Sequence, residues 1–152
     1  VREGVSKMRK LAALAVSLAF LLPGPVWAEM MSVKVDKCNF RQGPSVKNPV
    51  AYKADKFYPV KILKKQKGWV QVEDFEGDKA WVMATLLDDQ KTVVVKRKIA
   101  NIRDKASTKS KILFTAAQGA AFKILKEEGK WLLVQHADGD RGWIHESLVW
   151  GN

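Results

Sequence analysis

The sequence repeats itself. Shifted by 62 positions, residues 33–87 fall on residues 95–149 without a gap. Asn39 lands on Asn101, Arg41 on Arg103, Ser45 on Ser107, Trp69 on Trp131 and Trp81 on Trp143. Roughly 17 of about 55 aligned positions are identical, which marks two copies of one small structural unit. A unit of this size holds little chemistry of its own. The repeat also supplies an internal test, because a residue that the shared fold needs should occur in both copies.

The segment before the repeat reads as a leader. Lys7, Arg9 and Lys10 precede an unbroken apolar run over residues 11–22, which Pro23-Gly24-Pro25 ends. Val26-Trp27-Ala28 then supplies the small residues of a cleavage site. The pattern predicts a secretory signal peptide over residues 1–28, with Met8 as the start and Glu29 as the mature N-terminus. The apolar run is too short for a spanning helix, and a short membrane anchor is the other reading. Cleavage would leave a periplasmic or secreted protein with no stable membrane insertion.

The one cysteine, Cys38, lies beyond the apolar run, which argues against lipid attachment there, and it has no partner for an intrachain disulfide. Its repeat partner is Ala100, so a buried structural thiol is expected. The chain carries a net charge of +11, and loss of residues 1–28 would leave +8, because four basic residues and one acidic residue go with them. Such a chain is drawn to anionic surfaces. Nucleic acid is excluded as a partner by the expected destination, not by the charge.

Short runs rich in β-branched and aromatic residues dominate the rest, at 32–35, 57–63, 69–72 and 79–82, then 92–95, 121–125, 131–134 and 142–144. Turn-forming clusters separate them. Lys67-Gly68 and Gly129-Lys130 are tight-turn signals, and Glu76-Gly77-Asp78 and Asp138-Gly139-Asp140 are hairpin turns. In Trp69-Val70-Gln71-Val72-Glu73 the valines share one face and Trp69 takes the other. The expectation is an all-β chain of two tandem small barrels, over residues 29–88 and 89–152, joined by a short polar connector.

Cys38-Asn39-Phe40-Arg41-Gln42-Gly43-Pro44-Ser45 resembles the L-N-V-R-x-G-P-S opening of bacterial SH3 (SH3b) domains, and residues 100–107 are a degraded version of it. The remaining family pattern follows in order in both copies, from a V-x-I-L strand through G-W-x-x-V to a G-x-x-G-W-V hairpin and a final apolar strand. The resemblance implies a pair of SH3-like barrels in an exported, non-catalytic protein that binds peptidoglycan or envelope proteins. The second copy departs at Lys105-Ala106, and Leu86 and Leu148 stand where a groove tyrosine often sits. Polyproline recognition is therefore not expected.

No catalytic, metal or cofactor site is expected. His136 and His145 align with Asp74 and Met83, so neither belongs to the shared plan, and no ligand-like spacing occurs. Glu127-Glu128 and Asp88-Asp89 are adjacent on strands and would face opposite sides, so they are not a glycosidase pair. Trp81 and Trp143 are expected to fill cores. Trp69 and Trp131 are expected outside, as contacts for a peptide or sugar face. Arg41 and Arg103 would either clamp a ligand carboxylate or hold the opening loop through its carbonyls. The first functional reading is an exported binding module attached to peptidoglycan or to an envelope protein or peptide. The second is a structural adaptor that sees no glycan, and the third is a wall peptidase built on Cys38 and a histidine.

Overall fold

The computed structural model describes residues 28–151. The signal-peptide reading, with its cleavage after Ala28, rests on residues that lie outside the described ones. The first unit runs β1 (Met30–Val33), β2 (Lys37–Arg41), β3 (Val50–Asp55), β4 (Pro59–Gln66), β5 (Trp69–Glu73), β6 (Lys79–Met83), a 3-10 turn (Ala84–Leu86) and β7 (Leu87–Asp88). The second runs β8 (Thr92–Val95), β9 (Ile99–Arg103), β10 (Ile112–Ala117), β11 (Ala121–Glu128), β12 (Trp131–Gln135), β13 (Arg141–His145), a 3-10 turn (Glu146–Leu148) and β14 (Val149–Gly151). Every element of the second unit begins 62 residues after its counterpart.

Each unit is one antiparallel seven-stranded sheet, ordered β3-β2-β6-β5-β4-β1-β7 and β10-β9-β13-β12-β11-β8-β14. The closed barrel expected from the sequence is not formed. The ladder starts at β3 and ends at the two-residue β7, and those two edges do not pair. The β2–β6 seam is a single pair, Arg41 with Trp81. The sheet nevertheless curls around one core, because an irregularity between Ile62 and Lys64 bends β4, as bulges do. Val33, Phe40, Ala54, Val60, Val72, Val82 and Leu87, one from each strand, meet in that core. The second core holds Val95, Ile102, Ala116, Phe122, Val134, Ile144 and Val149 at the equivalent places.

Two-residue hairpin loops connect β4 to β5 and β11 to β12. Lys67 and Gly68 both have positive φ, 46° and 83°, which matches a type I′ turn. In the second unit Gly129 (φ 56°) is positive and Lys130 is not, which matches type II′. The order of glycine and lysine in each copy thus selects the mirror-image turn that the strand twist favours.

Four strands escape the sequence reading: β2, β3, β9 and β10. Only Ala54 and Ala116 are buried along β3 and β10, so neither shows an apolar run. The expected strand at Phe57 begins instead at Pro59. Phe57 sits at φ 74° where the second unit has Gly119 at φ 90°. A left-handed backbone at a non-glycine residue costs about 1–2 kcal/mol. The aromatic ring there lies within 5.5 Å of the Lys56 ammonium and 5.8 Å of the Lys123 ammonium, so it joins the two units.

Core chemistry differs between copies where the backbones agree. Ala80 is buried in β6, and Gly142 replaces it in β13. A Cβ at Gly142 would lie 2.6 Å from Cγ2 of Ile102 and 2.9 Å from the Arg103 carbonyl.

Candidate ligand-binding site

The outer face of the sheet is set by strand parity. Val70 and Val72 point inward, so Trp69, Gln71 and Glu73 point outward, and all three are half-buried. On β6, Ala80 and Val82 are buried while Trp81 is half-buried. The expectation that Trp81 and Trp143 fill the cores is therefore corrected. Both rings lie on the outer face, because the inward positions of their strands belong to Ala80 and Val82, and to Gly142 and Ile144. The alternation is readable from Ala80-Trp81-Val82, and strand parity overrides ring size here.

Cross-strand pairs carry side chains on one face as neighbours. One outer row runs Lys64–Gln71–Trp81–Arg41. The next runs Gln66–Trp69–Met83. Arg41 thus neighbours Trp81, not Trp69. In the second unit Arg103 lies opposite Trp143, and Trp131 opposite His145, with the two rings edge to face at 5.1 Å. Arg41 Nη1 donates to the Asn48 carbonyl at 2.9 Å, and Arg103 Nη1 to the Ser110 carbonyl at 2.8 Å. Both arginines hold the opening loop, as the second of the two expectations had it.

Trp69 lines a cleft of about 360 Å³ together with Met31, Lys65, Lys67 and Glu29. Lys65 Nζ lies 3.1 Å from Glu29, in an exposed pair that adds little stability. The sequence reading named Trp69 but missed these two lysines. The equivalent cavity of the second unit, about 180 Å³, is lined by Glu127 and Glu146, with Gly129 in place of Lys67. The same recess is therefore basic in one copy and acidic in the other. Aligning Lys65 with Glu127 and Ala84 with Glu146 was the available signal.

Neither histidine is isolated from the fold. Asp74 is buried, and its carboxylate accepts the Glu76 and Asp78 amides at 2.9 and 3.0 Å. His136 replaces it in the second hairpin, with Nδ1 3.3 Å from the Asp138 amide and 3.1 Å from the Asp138 carboxylate. These two contacts need different roles for Nδ1. The amide contact needs Nδ1 as an acceptor, and the carboxylate contact needs Nδ1 to carry a hydrogen. The Asp140 amide and His136 hold the Asp138 carboxyl below its usual range. His145 accepts the Ser147 amide at 3.2 Å and caps the second 3-10 turn.

Cys38 is buried in the first core, and burial pushes its thiol up to about 11. Both histidines belong to the second unit, so the structure does not assemble a Cys–His pair in one core. Among the described residues no cluster of three or more His, Cys, Asp or Glu side chains could hold a metal ion. No helix among them is long and apolar enough to cross a membrane.

These features define an all-β tandem repeat with an open, tryptophan-lined recess. The chain belongs to the bacterial SH3 domain family, whose sequence model matches it twice, over residues 34–89 and 96–151. It is 23% identical over 128 residues to a Bacillus subtilis (strain 168) protein bearing the name N-acetylmuramoyl-L-alanine amidase YrvJ, an alignment covering 77% of this chain and 24% of that protein. The chain thus spans about a quarter of that relative's length. Among solved structures it is similar to NlpC2 from Trichomonas vaginalis, with 15% identity, a TM-score of 0.37, and coverage of 82% of this chain and 48% of that one. An NlpC/P60 family protein from Bacillus cereus ATCC 10987 has 14% identity and a TM-score of 0.39, with coverage of 81% and 56%.

Proposed function

We propose that this protein is an exported, non-catalytic binding module that attaches to peptidoglycan through the Trp69 cleft of its first unit. The observation that carries the reading is the pairing of Trp69 with Lys65 and Lys67 in one recess. An indole offers a flat apolar face to a sugar or peptide, and Lys67, beside the Lys65–Glu29 pair, attracts carboxylates. Peptidoglycan carries both chemistries. Membership in the bacterial SH3 family and the muramoyl-alanine amidase name of a relative support an envelope or extracellular setting. Arg41 and Arg103 keep further N–H donors beyond their loop bonds, and Trp131 offers a second aromatic surface, so all four residues stay in the proposed contact set.

Sedimentation of the purified protein with insoluble peptidoglycan tests this. The wild type should co-sediment at low salt and less at high salt. Trp69→Ala should weaken binding by roughly 1–3 kcal/mol without unfolding the unit. Unchanged co-sedimentation of a folded Trp69→Ala variant would remove the cleft from the site.

One observation favours the adaptor reading. The edge strand β10 exposes Ile112 and Leu113, and Ile99 of the adjoining β9 is also exposed. A free edge with apolar side chains can accept a strand from a protein partner. Binding to envelope protein with none to peptidoglycan would favour that reading.

A further inference from the structure

The second unit is hollow where the first is filled. In the first, the Tyr58 ring meets Phe40 edge to face at 6.4 Å and Phe75 at 6.3 Å. Burial, and next the negative charge of the buried Asp74, push the Tyr58 phenol above its usual range. The repeat register puts Ala120 at the position of Tyr58, Ala137 at that of Phe75 and His136 at that of Asp74. Three replacements thus delete two aromatic rings and the buried carboxylate near them while the backbone plan is kept.

A cavity of about 380 Å³ opens at Ala120. Phe114, Ala116 and Phe122 give it an apolar, aromatic wall, and His136, Asp138 and Asp140 also line it. The Phe122 and His136 rings meet edge to face at 5.4 Å, so the wall is ordered by its own contacts. The two carboxylates form an acidic rim on a chain of net charge +11. The first unit shows what this space accepts: a phenol ring packed edge to face between aromatic neighbours. The rim adds a preference for positive charge beside that ring.

We propose that this cavity binds a tyrosine side chain with a positive charge next to it, presented by a peptide segment of a protein partner. The ring takes the place that Tyr58 fills in the first unit, and the charge faces Asp138 and Asp140. The inference is independent of the Trp69 cleft, which lies in the other unit.

Titration of the isotope-labelled full chain, followed by amide NMR, tests it with three probes. Tyrosinamide carries ring and ammonium, N-acetyltyrosinamide the ring alone, and n-butylamine the charge alone. Tyrosinamide should give saturable shifts centred on Ala116, Ala120, His136 and Asp138. N-acetyltyrosinamide should bind several-fold more weakly, and n-butylamine should give no saturable shift. Ala120→Tyr should fill the cavity from within and abolish the shifts. Ala120→Met serves if the tyrosine variant does not fold, and should lose most of the binding. Tyr58→Ala should create a second set of shifts around Phe40 and Asp74. Trp69→Ala should change nothing in this titration, which keeps the result separate from the peptidoglycan assay. Absent shifts, shifts that persist in a folded Ala120 variant, or butylamine binding as tightly as tyrosinamide would overturn the proposal.

Discussion

Arg41 stands opposite Trp81 at the one pair that joins β2 to β6, while its guanidinium donates to the Asn48 carbonyl at 2.9 Å. Arg103, Trp143 and Ser110 repeat the arrangement, with a 2.8 Å bond. One side chain therefore ties the opening loop to the thinnest seam of the sheet. Arg41→Ala should lower stability by about 1.5–3 kcal/mol, the range for a hydrogen bond made by a charged group, and Arg41→Lys should recover little of it for want of the planar fork. Urea unfolding measures both. An unchanged midpoint accompanied by lost peptidoglycan binding would return Arg41 to the carboxylate-clamp role.

Val82 and Trp81 should separate core from face. Val82 is fully buried, and Val82→Ala should cost about 1.5–3 kcal/mol. Trp81→Ala removes a larger but half-buried ring from the outer face and should cost no more than Val82→Ala, about 1–2 kcal/mol. Thermal melts of the two variants decide the order.

Cys38→Ala should fold and cost under about 2 kcal/mol, because Ala100 already occupies the equivalent buried slot. The thiol, held up to about 11 by burial, should resist iodoacetamide at neutral pH in the folded protein and react fully in denaturant. A mass shift in the native state would show that the slot opens.

The Asp138 carboxyl should titrate below an ordinary aspartate, chiefly through the Asp140 amide and secondarily through His136. A depressed folded-state pKa stabilises the protein above the unfolded value, and that contribution is lost as pH falls through the folded one. His136→Ala should raise the midpoint part of the way, since the amide bond survives. Carboxyl-carbon NMR across the acid range reads both. No change in the variant would show that the amide alone sets the value.

Gly142→Ala should destabilise the second unit by about 1–3 kcal/mol, the usual cost of overpacking, because the new methyl group would meet Ile102 and a backbone carbonyl. Ile102→Ala, which removes the Cγ2 that the new methyl meets, should cost less in the Gly142→Ala background than on its own. Urea unfolding of the single and double variants tests the coupling.

Much of this was legible from the repeat. The offset of 62 carried over to every element start, and Val70 and Val72 fell inside as their alternation required. Long-range geometry was not legible. No local pattern indicates that β2 meets β6 at one pair only, or that the sheet stays open at β3 and β7. β3 and β10 were missed because each buries one alanine and leaves its other residues at least partly accessible. Of the candidate ligand residues, the outward parity of Trp69 was readable, while its neighbours Lys65 and Lys67 depended on a hairpin fold-back. The hollow at Ala120 was written in the sequence as three mismatched pairs, but their adjacency exists only in three dimensions.

The Ala80/Gly142 difference bears on how two near-copies joined by a three-residue connector sort their strands during folding. Tandem repeats risk exchanging equivalent strands before either is complete. If β6 took the place of β13, the methyl group of Ala80 would press on Ile102, whereas β13 in place of β6 would leave a void beside Phe40. The mismatch penalises both exchanges, so a divergence that looks like drift between duplicates acts as an address label for each strand.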